Sequence, residues 1–396
     1  MSPRRRLSPW LALVVVSMTC ALSSSCSRGE PEPTEYKIGA VLCLSGRGAS
    51  YGERAQNGFK LAIDELNAGD FKGKPLRLVT QNTESSRDQA RAAFQGLIEK
   101  EKITAAVGFL LSDEVLACAP LANQRKVVLL SPFAGSDDIK NAGDYVFRNR
   151  ESASRQAEAI ARIAVERFAE KRFAVLHSRS ANGISYRDAF VDAVLRLGIA
   201  TPPPTVSFEE GKTDYREQIQ RLRDKAPEAV YLAGLDRELG LILKQSAELG
   251  FKPQFFASAA AISPKLLDIA GTAAEGLVGG SAPFDPESSD PRVQAFVASY
   301  EKRFGSPPDF LAANAYDAIH LIADQIRSGA RDGESLKKGL YAVKNYPGIG
   351  GTMSFDSFGE VDKPITLVQV QKGSFRPLPA EASGKSGKPA QGGMPR

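Results

Sequence analysis

Few residues in this 396-residue chain have types and spacings that could do chemistry. Gly46-Arg47-Gly48-Ala49-Ser50-Tyr51-Gly52 follows an apolar run and opens an amphipathic one. A dinucleotide fingerprint would need its third glycine where Tyr51 stands. What remains is either a tight loop offering backbone N–H groups to a ligand at a helix start or a plain strand-to-helix turn. Gly211-Lys212-Thr213 and Gly384-Lys385-Ser386 end like phosphate loops, but Val206 and Pro379 occupy the upstream glycine positions, so neither is one. His177 falls at the C-terminal end of an expected strand, where open α/β sheets place ligand sites. No nucleophile is set against it and no Gly-x-Ser-x-Gly elbow occurs, which favours a polar rim or core role. His320 reads as structural. Arg148 and Arg150 could hold an anion; a salt bridge across a hinge is the simpler use.

The chain has 2 histidines and 4 cysteines. Those numbers exclude a Cys/His zinc cluster and argue against an enzyme built on histidine. No nucleophile–base set appears, no cofactor is called for, and the expectation is a protein that is not an enzyme. The formal net charge of +5 resides in Arg4, Arg5 and Arg6 and in the last twenty residues, leaving a neutral body. Nucleic acid is therefore not an expected partner. The three arginines precede an apolar core, Trp10 to Val16, too short to span a bilayer, which is the layout of an export signal over 1–25. Ala21-Leu22-Ser23-Ser24-Ser25-Cys26 is similar to a bacterial lipobox, with Ser23 where leucine is usual. Cys26 is the expected lipidation site and new N-terminus. Cys20 is the alternative anchor, and an ordinary cleaved signal the alternative reading. Cys43, expected at a strand end, and Cys118, expected inside a helix, are left as a disulfide or as two buried thiols.

These residues have to be positioned by elements that alternate along the chain. Residues 26–35 are a polar, proline-containing tether and 377–396 a Gly/Pro/Ser/Lys tail expected to be disordered. Between them, a buried strand at Tyr36–Leu42 precedes a helix at Tyr51–Asn67 whose Ala55, Phe59, Ala62, Ile63 and Leu66 form one stripe. Strands at Leu76–Thr80, Thr104–Phe109 and Val127–Leu130 then alternate with helices at Asp88–Lys100 and Ser112–Gln124. A second series follows: helices at Ser154–Glu170, Ser185–Leu197, Asp214–Lys225 and Glu238–Gly250, and strands at Phe173–Leu176, Thr205–Phe208, Ala229–Leu232 and Gln254–Ala257. Gly276–Ser281, helices at Arg292–Phe304, Asp309–Gly329 and Glu334–Val343, and strands near Gly350–Ser354 and Ile365–Val370 finish the chain. The rhythm predicts α/β architecture with two similar parallel-sheet lobes. One lobe takes 36–150 with 282–345, the other 151–281 with 346–376.

Two stretches carry a family signal, in this order and spacing. The first is Ile38-Gly39-Ala40-Val41-Leu42-Cys43-Leu44-Ser45-Gly46, Tyr51-Gly52, Asn57-Gly58-Phe59-Lys60-Leu61-Ala62 and Asn67. The second is Tyr300-Glu301-Lys302-Arg303-Phe304-Gly305, Pro308 and Ala315-Tyr316-Asp317-Ala318-Ile319. With Leu130-Ser131-Pro132, the chain over 36–372 resembles the leucine/isoleucine/valine-binding type of periplasmic binding protein, type I fold. The resemblance implies two doubly wound parallel-sheet lobes joined by a three-crossing hinge. A small-molecule ligand would lie in the cleft, and an ABC permease would accept it from the closed form. The lipid anchor would keep the receptor beside that permease, outside the cytoplasmic membrane.

The resemblance also implies site residues. Gly108-Phe109-Leu110-Leu111-Ser112 matches the segment whose serine holds a ligand carboxylate, and Tyr51 matches an aromatic that packs on the ligand. Phe133, Ala134 and Gly135 match the loop whose backbone and threonine also hold the carboxylate; here Gly135 replaces the threonine. In the far lobe Asn182 and Asp236 (or Leu235) stand where tyrosines are usual, and Ala259 where a glutamate would pair with an α-ammonium. Either Asp236 substitutes for that glutamate or the ligand, amino-acid-like or a small acid or amide, has no α-ammonium; the second is favoured. The alternative function is an envelope ligand-sensing or scaffold module with a degenerate site.

Overall fold

A computed structural model gives the structure of residues 34–281 and 283–378. The expected signal, Cys26, most of the tether and most of the tail lie outside the described residues.

The first sheet is made by β1 (Tyr36–Leu42), β2 (Leu76–Asn82), β3 (Ala105–Gly108), β4 (Val128–Ser131) and β5 (Val146–Arg148), in the order β2-β1-β3-β4-β5 and parallel throughout. The last five residues of β1 are all buried, as a strand covered on both faces requires. Its cover comes from α1 (Ala49–Ala68), α2 (Arg87–Gly96) and α3 (Ser112–Arg125), joined by α10 (Phe310–Arg327) and α11 (Gly333–Tyr341) from far along the chain. α1 packs on α10 so closely that a Cβ on Gly58 would lie 2.3 Å from the Ala312 carbonyl oxygen. α9 (Pro291–Phe304) flanks the same pair.

The second sheet repeats the topology. β6 (Phe173–Ser178), β7 (Thr205–Phe208), β8 (Ala229–Ala233), β9 (Gln254–Ala257) and β10 (Val278–Ser281) are parallel in the order β7-β6-β8-β9-β10. Alternation along β6 serves two cores. Ala174 and Leu176 pack with Ile219, Leu239 and Leu266 on one face, while Phe173 and Val175 pack with Ile160, Phe190 and Tyr231 on the other. The helices are α4 (Ala153–Glu166), α5 (Ala181–Arg196), α6 (Arg216–Arg223), α7 (Asp236–Glu248) and α8 (Pro264–Ala270). β13 (Thr366–Gln371) and β14 (Ser374–Pro377) extend the sheet antiparallel beyond β10.

The chain crosses between the two lobes three times: from β5 to α4, from β10 to α9, and from the hairpin β11 (Tyr346–Gly348) and β12 (Gly351–Met353) to β13. The first crossing carries the expected salt bridge in part. Arg148 pairs with Glu360 of the third crossing, whereas Arg150 instead donates to the Phe133 carbonyl and, at 2.8 Å, to the Tyr186 hydroxyl.

Side-chain caps explain most helix starts. Ser86, Ser152, Ser180, Ser263, Asp290, Asp309 and Asp332 each accept from a first-turn amide. The Ser180 cap starts α5 at Ala181, four residues before the expected Ser185, because Asn182-Gly183 continue the helix rather than break it. α4 ends at Glu166, short of the expected Glu170, with Ala169 at a φ of 56°. β5 and β11, three residues each, and the seven-residue α8 are too short for a periodic signal. Pro377 closes β14 and Leu378 is buried, so the described fold includes the first two residues of the stretch read as tail.

Candidate functional site

The two sheets present the C-terminal ends of β1, β3 and β4 and of β6, β8 and β9 to a common cleft, the position at which open α/β sheets bind ligands. On the near side, Gly108 has a φ of 109°, and a Cβ there would lie 2.2 Å from the Val41 carbonyl oxygen. Glycine thus allows β3 to turn sharply into Leu110, Leu111 and α3. The Ser131 hydroxyl ties this loop to the next, donating to the Phe109 carbonyl at 2.9 Å and accepting from the Ala134 amide at 3.0 Å. Ser112 Oγ accepts from the amides of Gly135 and Ser136 at 3.2 and 3.1 Å. The expected carboxylate groups, Ser112 and the Phe133–Gly135 loop, are therefore brought together. In this closed arrangement, however, their backbone donors are turned onto the Ser112 oxygen.

Tyr51, in the first turn of α1, is 1% exposed and packs on Phe133 with ring centroids 4.7 Å apart and the planes tilted by 33°. Phe133 in turn stacks on Phe310 at 6.1 Å. The Tyr51 hydroxyl crosses the cleft, donating to the Ala260 carbonyl at 3.0 Å and accepting from the Asp236 amide at 2.7 Å. Burial raises its pKa well above the usual tyrosine value, so it remains a neutral donor and acceptor.

Each far-side residue has a definite place. Asn182 sits in the first turn of α5, and its Oδ1 lies 2.8 Å from where a Cβ on Gly135 would be. Glycine at 135 is what makes that approach possible. α3 and α7 open onto the cleft behind Leu111 and Leu235, neither of which can cap a helix with its side chain. Asp236 is the first residue of α7. Its Oδ2 accepts from Ser263 Oγ at 2.9 Å, Ser50 Oγ at 3.4 Å and Arg54 Nη2 at 3.5 Å, and its side chain is 1% exposed. Ala259 begins the buried turn Ala259–Ala261 beside the carbonyl that receives Tyr51.

Leu110, Leu111, Ser112 and Phe133 face Ser180, Asn182, Glu210 and Leu235 across a small enclosed gap, with Arg47 and Asp113 at its rim. Its volume is about 10 Å³, room for about one water molecule. Leu235, Ala260 and Ile262 of the far lobe join the near lobe's hydrophobic core, so the lobes are packed together around this gap. At the rim Arg47 pairs with Glu210 of the far lobe and lies 3.7 Å from Asp113. Asp137 and Ser185 add a second lobe-to-lobe contact, Asp137 N to Ser185 Oγ at 2.8 Å and Ser185 Oγ to Asp137 Oδ2 at 3.0 Å.

Arg47, Arg54 and Tyr186 were not singled out for the cleft from the sequence. Arg54 follows Tyr51 at i+3 on one face of α1, a signal that was present, whereas Arg47 lies in the turn before the helix. Tyr186, one turn beyond Asn182, is fully buried, accepting from Arg150 and donating to Gln156. His177 is buried at the end of β6 with Nδ1 2.9 Å from the Ser178 carbonyl, and burial lowers its pKa, as expected of a core histidine. Glu114 of α3 points inward. It accepts from the Thr83 hydroxyl, and burial lifts its carboxyl to about 7. Cys43 and Cys118 are both free and buried, and burial pushes the Cys118 thiol up to about 12. Gly46–Gly52 is shaped by packing: a Cβ on Gly52 would lie 2.0 Å from the Cys43 carbonyl oxygen. Among the described residues no group of three or more His, Cys, Asp or Glu could hold a metal ion. No described helix is long and apolar enough to cross a membrane.

Residues 35–374 match the family model described as periplasmic binding protein. The chain is 25% identical over 337 residues to Leu/Ile/Val-binding protein homolog 3 of Brucella melitensis, covering 83% of this chain and 89% of that one. The solved leucine binding protein LivK from Thermotoga maritima is similar with a TM-score of 0.82 and 27% identity, over 87% of this chain and 98% of that one. A solute binding protein of an ABC transporter from Rhodopseudomonas palustris, solved in complex with 3,4-dihydroxy benzoic acid, is similar with a TM-score of 0.77 and 26% identity, over 86% and 95%.

Proposed function

The chain belongs to the periplasmic binding protein family, and we propose that it is the substrate-binding lipoprotein of an ABC importer whose ligand carries no α-ammonium group. The ligand class is a small carboxylic acid or amide with an apolar or aromatic body. Its head would meet Ser112 and Asn182, and its body Leu111, Phe133, Ala134 and Leu235. Ligand entry opens the 36–150/282–345 lobe away from the 151–281/346–376 lobe, and Ser112 then turns its amide partners, Gly135 among them, over to the ligand.

The observation that carries this reading is the state of the far lobe. Ala259 brings no charge, and the Asp236 carboxylate is already held by Ser263, Ser50 and Arg54. An ammonium shut into this cleft without a partner would cost several kcal/mol, about what an ordinary cleft ligand gains. That a relative's structure holds 3,4-dihydroxy benzoic acid supports an aromatic acid as compatible with the fold. The test is calorimetric titration of delipidated protein with leucine, isoleucine and valine beside benzoate, hydroxybenzoates, 4-methylpentanoate and benzamide. Binding confined to the acids or amides is expected; micromolar leucine binding refutes the reading.

The anchor is proposed at Cys26. Cys26→Ala is expected to move the protein from the membrane to the soluble fraction of the envelope, and a variant that still pellets with membrane refutes lipidation there. One observation favours the second reading, an envelope sensing or scaffold module: the pocket between Ser112 and Asn182 is filled by the chain's own side chains to about 10 Å³. A protein that binds nothing in the panel and co-purifies with no small molecule would bear that reading out.

A further inference from the structure

We infer that Arg54 is the residue that excludes amino-acid ligands, because its guanidinium, carried on the near lobe, takes the place beside Asp236 that a ligand's α-ammonium would need. The inference rests on the cleft reading above and names the group that sets it.

All three guanidinium nitrogens of Arg54 are committed. Nε donates to the Ser50 carbonyl at 2.9 Å, Nη1 pairs with Asp309, and Nη2 faces Asp236 Oδ2 at 3.5 Å. The rigid fork of a guanidinium can hold these directions at once, which a point charge cannot. Asp309 is itself fixed, capping α10 by accepting from the Leu311 and Ala312 amides at 3.1 and 3.0 Å. Tyr51 completes the seat: the Arg54 guanidinium carbon stands 4.7 Å from its ring centroid. The cation is thus anchored on the near lobe and offers one nitrogen to the far lobe.

Asp236 is the matching half. Its carboxylate is buried, and an anion there needs a cation or several donors. Arg54 supplies the charge, the Ser263 and Ser50 hydroxyls donate to Oδ2 and the Arg237 amide donates to Oδ1 at 2.8 Å, so closure of the lobes satisfies Asp236 with no contribution from a ligand. An entering ammonium would set a second cation against Arg54 over one carboxylate and meet repulsion where the family's glutamate gives attraction. A carboxylate or amide head has no use for Asp236 and is indifferent to this pairing.

The probes are L-leucine and 4-methylpentanoate, which differ by the ammonium alone, titrated calorimetrically into delipidated full-length protein whose folding is verified by melting. Arg54→Gln is expected to raise the leucine-to-4-methylpentanoate affinity ratio at least tenfold. Adding Asp236→Asn to Arg54→Gln should return the ratio toward wild type. Where Arg54→Gln does not fold, Arg54→Met, which keeps an apolar stem over Tyr51, carries the same expectation. An unchanged ratio, a variant that still binds no leucine, or a gain that persists without Asp236 overturns the role of Arg54. Tight leucine binding by the wild-type chain refutes the cleft reading instead, so the two failures are distinguishable.

Discussion

Replacing Tyr51 by Phe removes one oxygen atom and leaves the ring that packs on Phe133 in place. That oxygen joins the lobes through two hydrogen bonds, to the Ala260 carbonyl and from the Asp236 amide. In the open form water serves both backbone groups, so the loss falls on the closed form alone. A buried backbone group left without its partner costs about 1–3 kcal/mol. Two such groups shift the open–closed equilibrium by at least about 2 kcal/mol, roughly 30-fold toward open. The lobes themselves lose no packing, and the melting temperature should move little. Small-angle X-ray scattering without ligand should show a larger radius of gyration for Tyr51→Phe than for wild type. Amide exchange read by mass spectrometry should show lost protection in the peptide spanning Leu235 and Asp236. An unchanged scattering curve together with unchanged protection at Asp236 would refute the idea that this hydroxyl holds the lobes together.

Two further outcomes can be checked on stability. Burial lifts the Glu114 carboxyl from its ordinary 4.5 to about 7, so the folded chain holds the proton more tightly than the unfolded one. Its favourable contribution is present below pH 4.5 and lost as pH rises through 7, about 3 kcal/mol in all at about 1.4 kcal/mol per pH unit. Asp317, lifted to about 6 by burial, acts in the same direction. Urea denaturation at pH 5 and pH 8 should show wild type weaker at pH 8 and Glu114→Gln with a clearly smaller loss, the remainder being the share of Asp317; an equal loss in both proteins contradicts the assignment. Gly58→Ala should destabilise by about 1–3 kcal/mol despite alanine's better helix propensity, because the new Cβ meets the Ala312 carbonyl oxygen at 2.3 Å. A raised melting temperature would show that α1 and α10 can separate freely.

The sheet strands were legible because parallel, doubly covered strands are short apolar runs between amphipathic helices. Tyr36–Leu42, Thr205–Phe208 and Gln254–Ala257 form as read. The near-side cleft residues were implied by the family resemblance, and Tyr51, Ser112 and Phe133 are brought together. What the sequence hides is partnership across the lobes. Whether Asp236 is open or occupied depends on Arg54 and Ser50, about 180 residues earlier in the chain, and no local pattern reports that. Gly135 was similarly readable only as a lost threonine. Its use, admitting Asn182, exists only once both lobes are folded.

The pairing of α1 with α10 also bears on the order in which the chain becomes a protein. Arg54 and Asp309, which meet across that helix pair, are 255 residues apart in sequence. A nascent chain that has produced β1 through β5 holds every strand of its first sheet but lacks the helices that seal one flank of it, and β6 through β10 of the second sheet must emerge before they arrive. Closing so long a loop is slow. The first lobe therefore cannot commit early, and an apolar sheet flank stays uncovered through most of synthesis. Such a chain stays unsealed until residues 291–341 appear, which would suit export in an unfolded state.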